Sequence, residues 1–171
     1  MSNQTLLTPH FTLLEFSESA TAKKYGIANE PTPEVQENLM LLCRCTLEPL
    51  REALGMPIII TSGYRCKALN TIISHSSHRS QHLKGQAVDF YVGQGQISSS
   101  KFKVQSHREL LIKAFHLILT SEQIDYDQLI LYPDFIHVSY VSPKANRHYI
   151  MTANGSGQYK RVSREVALSI L

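Results

Sequence analysis

The ten residues Ser80-Gln81-His82-Leu83-Lys84-Gly85-Gln86-Ala87-Val88-Asp89 constrain this chain more than any other stretch. They set a histidine and an aspartate seven positions apart, with a glycine between them, at the entrance to a run that reads as a strand over Gln86 to Val92. A segment of this kind folds back and aims both side chains at one point. Gly85 permits the tight backbone passage, and Ala87 leaves room beside the site. Imidazole nitrogen and carboxylate oxygen are both good zinc ligands, so the fold must bring a third ligand to the same place.

His137 supplies it. In Asp134-Phe135-Ile136-His137-Val138-Ser139-Tyr140 the histidine alternates with Ile136 and Val138 in strand fashion, which turns His137 and Ser139 to a cleft and the apolar neighbours to a core. Three protein ligands with one open position are what a hydrolytic zinc needs. Asp134, three residues before His137 and just after Pro133, is the candidate base that takes a proton from the attacking water. An aspartate after proline is equally a turn former, and spacing leaves the two readings about even. Arg65, in Ser62-Gly63-Tyr64-Arg65, is the candidate electrophile, binding a substrate carboxylate or steadying an oxyanion. His75 and His78 lie in a Ser-rich loop and read as solvated side chains, while His10, His107, His116 and His148 read as ordinary structural histidines. Tyr140 is a candidate lining residue of a substrate cleft, although core packing explains it as well.

The rest of the pattern is α+β. Thr12-x-x-Glu15 is a capping box that opens a short helix, and a second runs over Ala20 to Tyr25 and stops at Gly26. A long helix starts at Thr32-Pro33-Glu34, carries Val35, Leu39, Leu42, Leu47, Leu50 and Leu54 at helical spacing, and ends at Gly55, with Pro49 expected to kink it or weaken its continuity. Pro57 to Thr61 reads as a buried strand, and a short helix follows through Leu69 to Ile73. Residues 74–81 form a polar loop and residues 93–105 a Gly/Ser/Lys-rich connection. Ser106-x-x-Glu109 caps a helix to about Thr120. Gln128 to Tyr132 and Ile136 to Val141 make two strands around Pro133-Asp134, and a hairpin turns at Asn154-Gly155-Ser156-Gly157. Helices first and strands later point to α+β rather than a doubly wound sheet.

Composition excludes several classes. A chain of 171 residues with 43% hydrophobic and 18% charged residues is not disordered, and its length suits one domain over 1–171, with a motif core at about 57–141. A net charge of +3 is too small and dispersed to argue for nucleic acid. No apolar run approaches the ~18 residues of a membrane span. The start, MSNQTLLTPHFTLLEF, lacks the basic and apolar regions of a cleavable signal, so a cytoplasmic protein as synthesised is expected. Cys43, Cys45 and Cys66 are odd in number and lack framework spacing, so they read as free thiols.

These motifs together resemble the zinc D-Ala-D-Ala carboxypeptidase family of metallopeptidases. That family includes D-Ala-D-Ala carboxypeptidases, vancomycin-resistance dipeptidases and phage L-alanyl-D-glutamate endolysins, and shares its fold with the hedgehog signalling domain. Phe11 to Phe16, Leu47 to Arg65 and Asp127 to Ile130 extend the resemblance to its small phage and bacterial branch, so that it covers roughly residues 8–150. It implies a mainly antiparallel central sheet with helices packed on it. It also implies zinc at His82, Asp89 and His137, the acid/base at Asp134, the substrate or oxyanion arginine at Arg65, and site-shaping roles for Ser80 and Gly85. The loop Ile73 to Arg79 departs from the pattern, being one residue longer than in many relatives and without their Gly-Gly pair. Some branches also carry glutamate where this chain has Asp134.

The expected function is therefore a monomeric zinc peptidase cutting peptidoglycan stem peptides or muropeptides, of the D-Ala-D-Ala carboxypeptidase or L-Ala-D-Glu endopeptidase type. Arg65, Ser80 and Tyr140 are the expected substrate contacts. A phage or prophage lysin would act at the cell wall. The competing expectation is a zinc-bearing cell-wall-binding or virion structural module without turnover.

Overall fold

A computed structural model describes residues 5–73, 77–93, 107–154 and 158–171 of the chain. Two short paired strands open it, β1 (Leu6–Thr8) and β2 (Phe11–Thr12). Strands this brief have no periodicity to read, and the sequence reasoning passed over them. The helix α1 (Leu13–Ser17) follows, with the Glu15 carboxylate accepting the Thr12 N–H at 2.6 Å as the capping box requires. The helix α2 (Ala20–Tyr25) ends on Gly26 at φ 62°.

The long helix is present, and its α-helical continuity is broken just ahead of Pro49. It runs as α3 (Pro33–Leu42), a π-helical turn over Cys43–Leu47, and α4 (Glu48–Leu54). The cause is Pro49, which has no N–H to give the carbonyl four residues back. The π turn absorbs the ring, and the orphaned Cys45 carbonyl accepts instead from the Asp125 N–H at 3.0 Å. Thr46 completes the tie, its hydroxyl donating to the Asp125 carbonyl at 2.6 Å. A helix irregularity thus fixes the loop that leads into a central strand.

The remaining elements are β3 (Ile58–Ser62), α5 (Lys67–Ile72), a 3-10 turn over Gln81–Lys84, β4 (Ala87–Val92) and α6 (His107–Thr120). After them come β5 (Gln128–Leu131), β6 (Ile136–Ser139), β7 (Tyr149–Ala153), β8 (Tyr159–Arg161) and α7 (Arg164–Leu168). Ser106 of the expected second capping box and residues 155–157 of the expected hairpin turn lie outside the described residues, but β7 and β8 do pair antiparallel.

Six strands form one sheet in the order β3-β4-β6-β5-β7-β8, antiparallel except for the parallel pair β5 and β7. The fold class is α+β, as the pattern of elements indicates. Alternation sorts the two faces. Val88, Phe90, Leu129, Leu131, Ile136, Val138 and Ile150 are buried in the same core as Leu39, Leu42 and Leu50 of the long helix and Leu110, Phe115 and Ile118 of α6. The opposite face carries Asp89, His137, Ile130 and Met151, which are consecutive partners across four strands.

Gly85 sets how the 3-10 turn meets the helical layer. Its φ is 67°, and a Cβ there would lie 2.7 Å from the Val35 carbonyl oxygen and 2.8 Å from Val35 Cγ1. Glycine is needed both for the left-handed backbone and for the close approach to α3. Gly85→Ala should therefore cost at least about 2 kcal/mol of stability in a urea unfolding titration. A loss below about 0.5 kcal/mol would show that the turn moves freely relative to α3.

Candidate metal centre

His82 is held from both ends by the Ser62-Gly63-Tyr64-Arg65 stretch. The Gly63 carbonyl accepts from His82 Nδ1 at 2.7 Å, and the Arg65 N–H donates to the His82 carbonyl at 3.1 Å. The first bond fixes the tautomer and leaves Nε2 with a lone pair to offer. Gly63 is itself packed against the backbone of α1, where a Cβ would lie 2.5 Å from the Phe16 carbonyl oxygen. His82 is buried, and burial pushes its imidazole below the ordinary histidine range against the opposing pull of Asp89. The neutral imidazole that metal ligation requires is thus the favoured form.

Asp89 and His137 face each other directly across the β4–β6 pair. His137 Nδ1 donates to Asp89 Oδ1 at 2.7 Å, and His82 Nε2 lies 3.4 Å from the same oxygen. The Asp89 side chain is 16% exposed. Burial pushes its carboxyl up, but the two imidazoles outweigh this and hold it well below the usual range. One ligand atom from each of the three residues lies within 4.8 Å of the others. Two imidazole nitrogens and one carboxylate oxygen, converging at a half-buried point with one histidine locked by a backbone carbonyl, are a donor set that fits zinc.

The centre lies in a cleft of about 850 Å³. Arg65 lines it, its Nη2 lying 3.4 Å from Ser80 Oγ, while its Nε is buried without a hydrogen-bond partner among the described residues. Burial pushes the Arg65 guanidinium down, and Asp89 and Tyr132 push it back up. Tyr132, Phe135 and Tyr159 form one wall: the Tyr132 and Phe135 rings stack with centroids 4.1 Å apart, and the Tyr132 and Tyr159 hydroxyls are 2.7 Å apart.

Two expected site residues stand elsewhere. Tyr140 is buried in the hydrophobic core and does not line the cleft, because strand alternation puts it on the same face as Ile136 and Val138. Asp134 is exposed on the bend between β5 and β6 and is not among the lining residues, although its neighbours Tyr132 and Phe135 on either side do line the cleft. Its carbonyl accepts from His107 Nε2 at 2.7 Å. His75 lies outside the described residues, and His78 is exposed.

Sequence reasoning missed a network at the other end of the cleft. Asp127 is fully buried and accepts from the Arg147 backbone N–H at 2.8 Å, Arg147 Nε at 2.9 Å and Gln81 Nε2 at 2.9 Å. Arg147 Nη2 donates to its second oxygen. A lone Asp at a strand start and an Arg twenty residues later give no local signal, since only the β5–β7 pairing brings them together.

Burial pushes the Asp127 carboxyl up, but hydrogen bonds from Arg147 and Gln81 outweigh that and bring it down to about 2. A depressed carboxyl stabilises the fold above its unfolded value near 3.8 and stops doing so as pH falls toward 2. Urea unfolding of Asp127→Asn should therefore show lower stability than wild type at pH 7, with the gap narrowing as pH falls from about 4 toward 2. A gap independent of pH would show that the charge of Asp127 is not what Arg147 and Gln81 stabilise.

Among the described residues, no helix is long and apolar enough to cross a membrane. No curated protein matches the chain. The family model described as peptidase M15 matches residues 9–122, about two thirds of the sequence. That span includes His82, Gly85 and Asp89 and ends before Asp134 and His137, so His137 joins the group through sheet register alone. With that match and a His-Asp-His group suited to zinc, the chain belongs to the peptidase M15 family of zinc metallopeptidases.

Proposed function

We propose that this protein hydrolyses peptide bonds in peptidoglycan stem peptides, as a D-Ala-D-Ala carboxypeptidase or an L-Ala-D-Glu endopeptidase. The observation that carries this reading is the convergence of His82, Asp89 and His137 beside Arg65 in a cleft of about 850 Å³. His82, Asp89 and His137 hold the zinc. Bound there, the metal supplies Lewis acidity, lowering the pKa of water and polarising the scissile carbonyl. Arg65 binds a substrate carboxylate or the oxyanion; its unpartnered buried Nε and its nearness to Ser80 support that role.

Asp134 is the proposed acid/base. Among the described residues, the carboxylates lining the cleft are Asp89 and Asp127, and both are engaged by cationic or imidazole partners. The base must then come from the rim. Asp134 sits there between two cleft-lining aromatics, three residues before His137. Its role is to take a proton from the attacking water and deliver it to the leaving amine. The exposure of Asp134 also favours a second reading, a zinc-bearing wall-binding module that turns nothing over.

Mass spectrometry of purified muropeptides incubated with the protein separates the two. New fragments that vanish on chelation and return with zinc are expected, and their masses name the bond. Asp134→Ala should keep its zinc, measured by metal analysis, and lose activity by roughly a hundredfold or more. Full activity in that variant would remove Asp134 from the mechanism. The absence of fragments from zinc-loaded protein would leave the binding module. His82→Ala should lose the metal itself.

A further inference from the structure

Arg147 does more than neutralise Asp127. It lines the cleft with 45% of its side chain exposed, whereas the Asp127 side chain is 1% exposed. The Nε and Nη2 edge of the guanidinium faces Asp127, and Nη2 also donates to Gln81 Oε1 at 3.3 Å. Nη1 has no hydrogen-bond partner among the described residues. A buried acid thus grips the Nε–Nη2 edge of an arginine, Gln81 takes the other Nη2 hydrogen, and Nη1 is left to donate into the cleft. That orients a cation toward an anion bound in the cleft.

The backbone beside it is strained to keep it there. His148 has φ 51°, the sole positive φ at a non-glycine position among the described residues. Its ring is held by Asp125 Oδ1 at 2.9 Å, and the Tyr149 N–H donates to the Asp127 carbonyl at 2.9 Å. Strain of this kind persists only where its surroundings enforce it, and it concentrates at functional positions. The same turn sets the Arg147 guanidinium 4.9 Å from the Tyr149 ring centroid, and Arg161 lies over that ring at 3.9 Å.

The charge of the cleft points the same way. Among its described lining residues, Arg65, Arg79, Lys84 and Arg147 face only Asp89 and Asp127. Position follows from register. The pair Asp89–His137 lies in one rung of the sheet, Ser139–Gln128 in the next rung on the same face, and Asp127 one residue beyond. Three residues along β5 and one or two strand spacings across the sheet put Asp127, and the Arg147 guanidinium it holds, about 11 to 14 Å from the metal ligands, or roughly three to four residues of an extended peptide.

We propose that Arg147, gripped by Asp127, binds a carboxylate of the substrate three to four residues from the bond that is cut, so that the cleft selects acidic peptides. This rests on the peptidase reading above and names its substrate class.

The test uses pairs of synthetic peptides that differ only in whether an acidic residue carries a free carboxylate or its amide, placed one to four residues from the cleaved bond. Wild-type zinc-loaded protein should show a kcat/KM ratio of roughly tenfold in favour of the free acid at three or four residues. Arg147→Lys keeps a cation for Asp127 but has no Nη1 to donate into the cleft, so the ratio should fall to about one. A purely structural Arg147 would lower both rates together and leave the ratio in place, which overturns the proposal. So does a wild-type ratio near one at every position, a result that needs no variant to fold. If no peptide is cleaved, the peptidase reading falls and calorimetric titration of the same pairs decides the carboxylate site. An Arg147-dependent preference supports it, and equal affinities overturn it.

Discussion

A carboxylate withdrawn from water costs several kcal/mol unless other groups replace its hydration. Asp89 sits in that position, and one of its oxygens faces imidazoles at 2.7 and 3.4 Å. Much of the local architecture serves to keep those two rings in place. His137 arrives by strand pairing, and His82 by a 3-10 turn whose ring is anchored to Gly63. The carboxylate draws the two rings together, and ligation of a metal by the same three groups would displace the proton that His137 donates to it.

Local chemistry made most of this legible. The capping box at Thr12, the left-handed stops at Gly26 and Gly55, and the Ser80 to Asp89 string each announce themselves within ten residues. Alternation turns Asp89 and His137 to one face once the strands are assigned, and the glycine-ended turn before β4 brings His82 to them. What stayed hidden depends on pairing between distant segments. The parallel partnership of β5 and β7 brings Arg147 to Asp127, and nothing near either residue signals it. The π turn was half legible: Pro49 signalled a disturbance, but the form it took depends on the Asp125 N–H arriving to donate to the freed Cys45 carbonyl. Tyr140 illustrates the opposite error, an aromatic next to a site motif that parity sends to the core.

The two ends of the cleft are built on different principles. At the Tyr132 end, stacked rings and paired phenols make a wall of low polarity. At the Arg147 end, a buried acid and an amide side chain fix a cation. Gln81, the residue before His82, takes part in the second arrangement. A group bound by Arg147 is therefore one side chain away from the turn that carries a metal ligand.

The sequence distances inside the site also govern when it can exist. The candidate ligands come from residues 82, 89 and 137, and the ties that brace them reach back to Phe16 and forward to Arg147. No contiguous fragment much shorter than that span contains a complete centre. Contacts of such long sequence separation form late, because loop closure must be achieved before they contribute any stability. Zinc affinity is thereby a report on completed folding. A nascent or clipped chain lacking the β6 and β7 region would carry two of the ligands and bind metal weakly, so hydrolytic capacity is withheld until nearly the whole sheet has assembled.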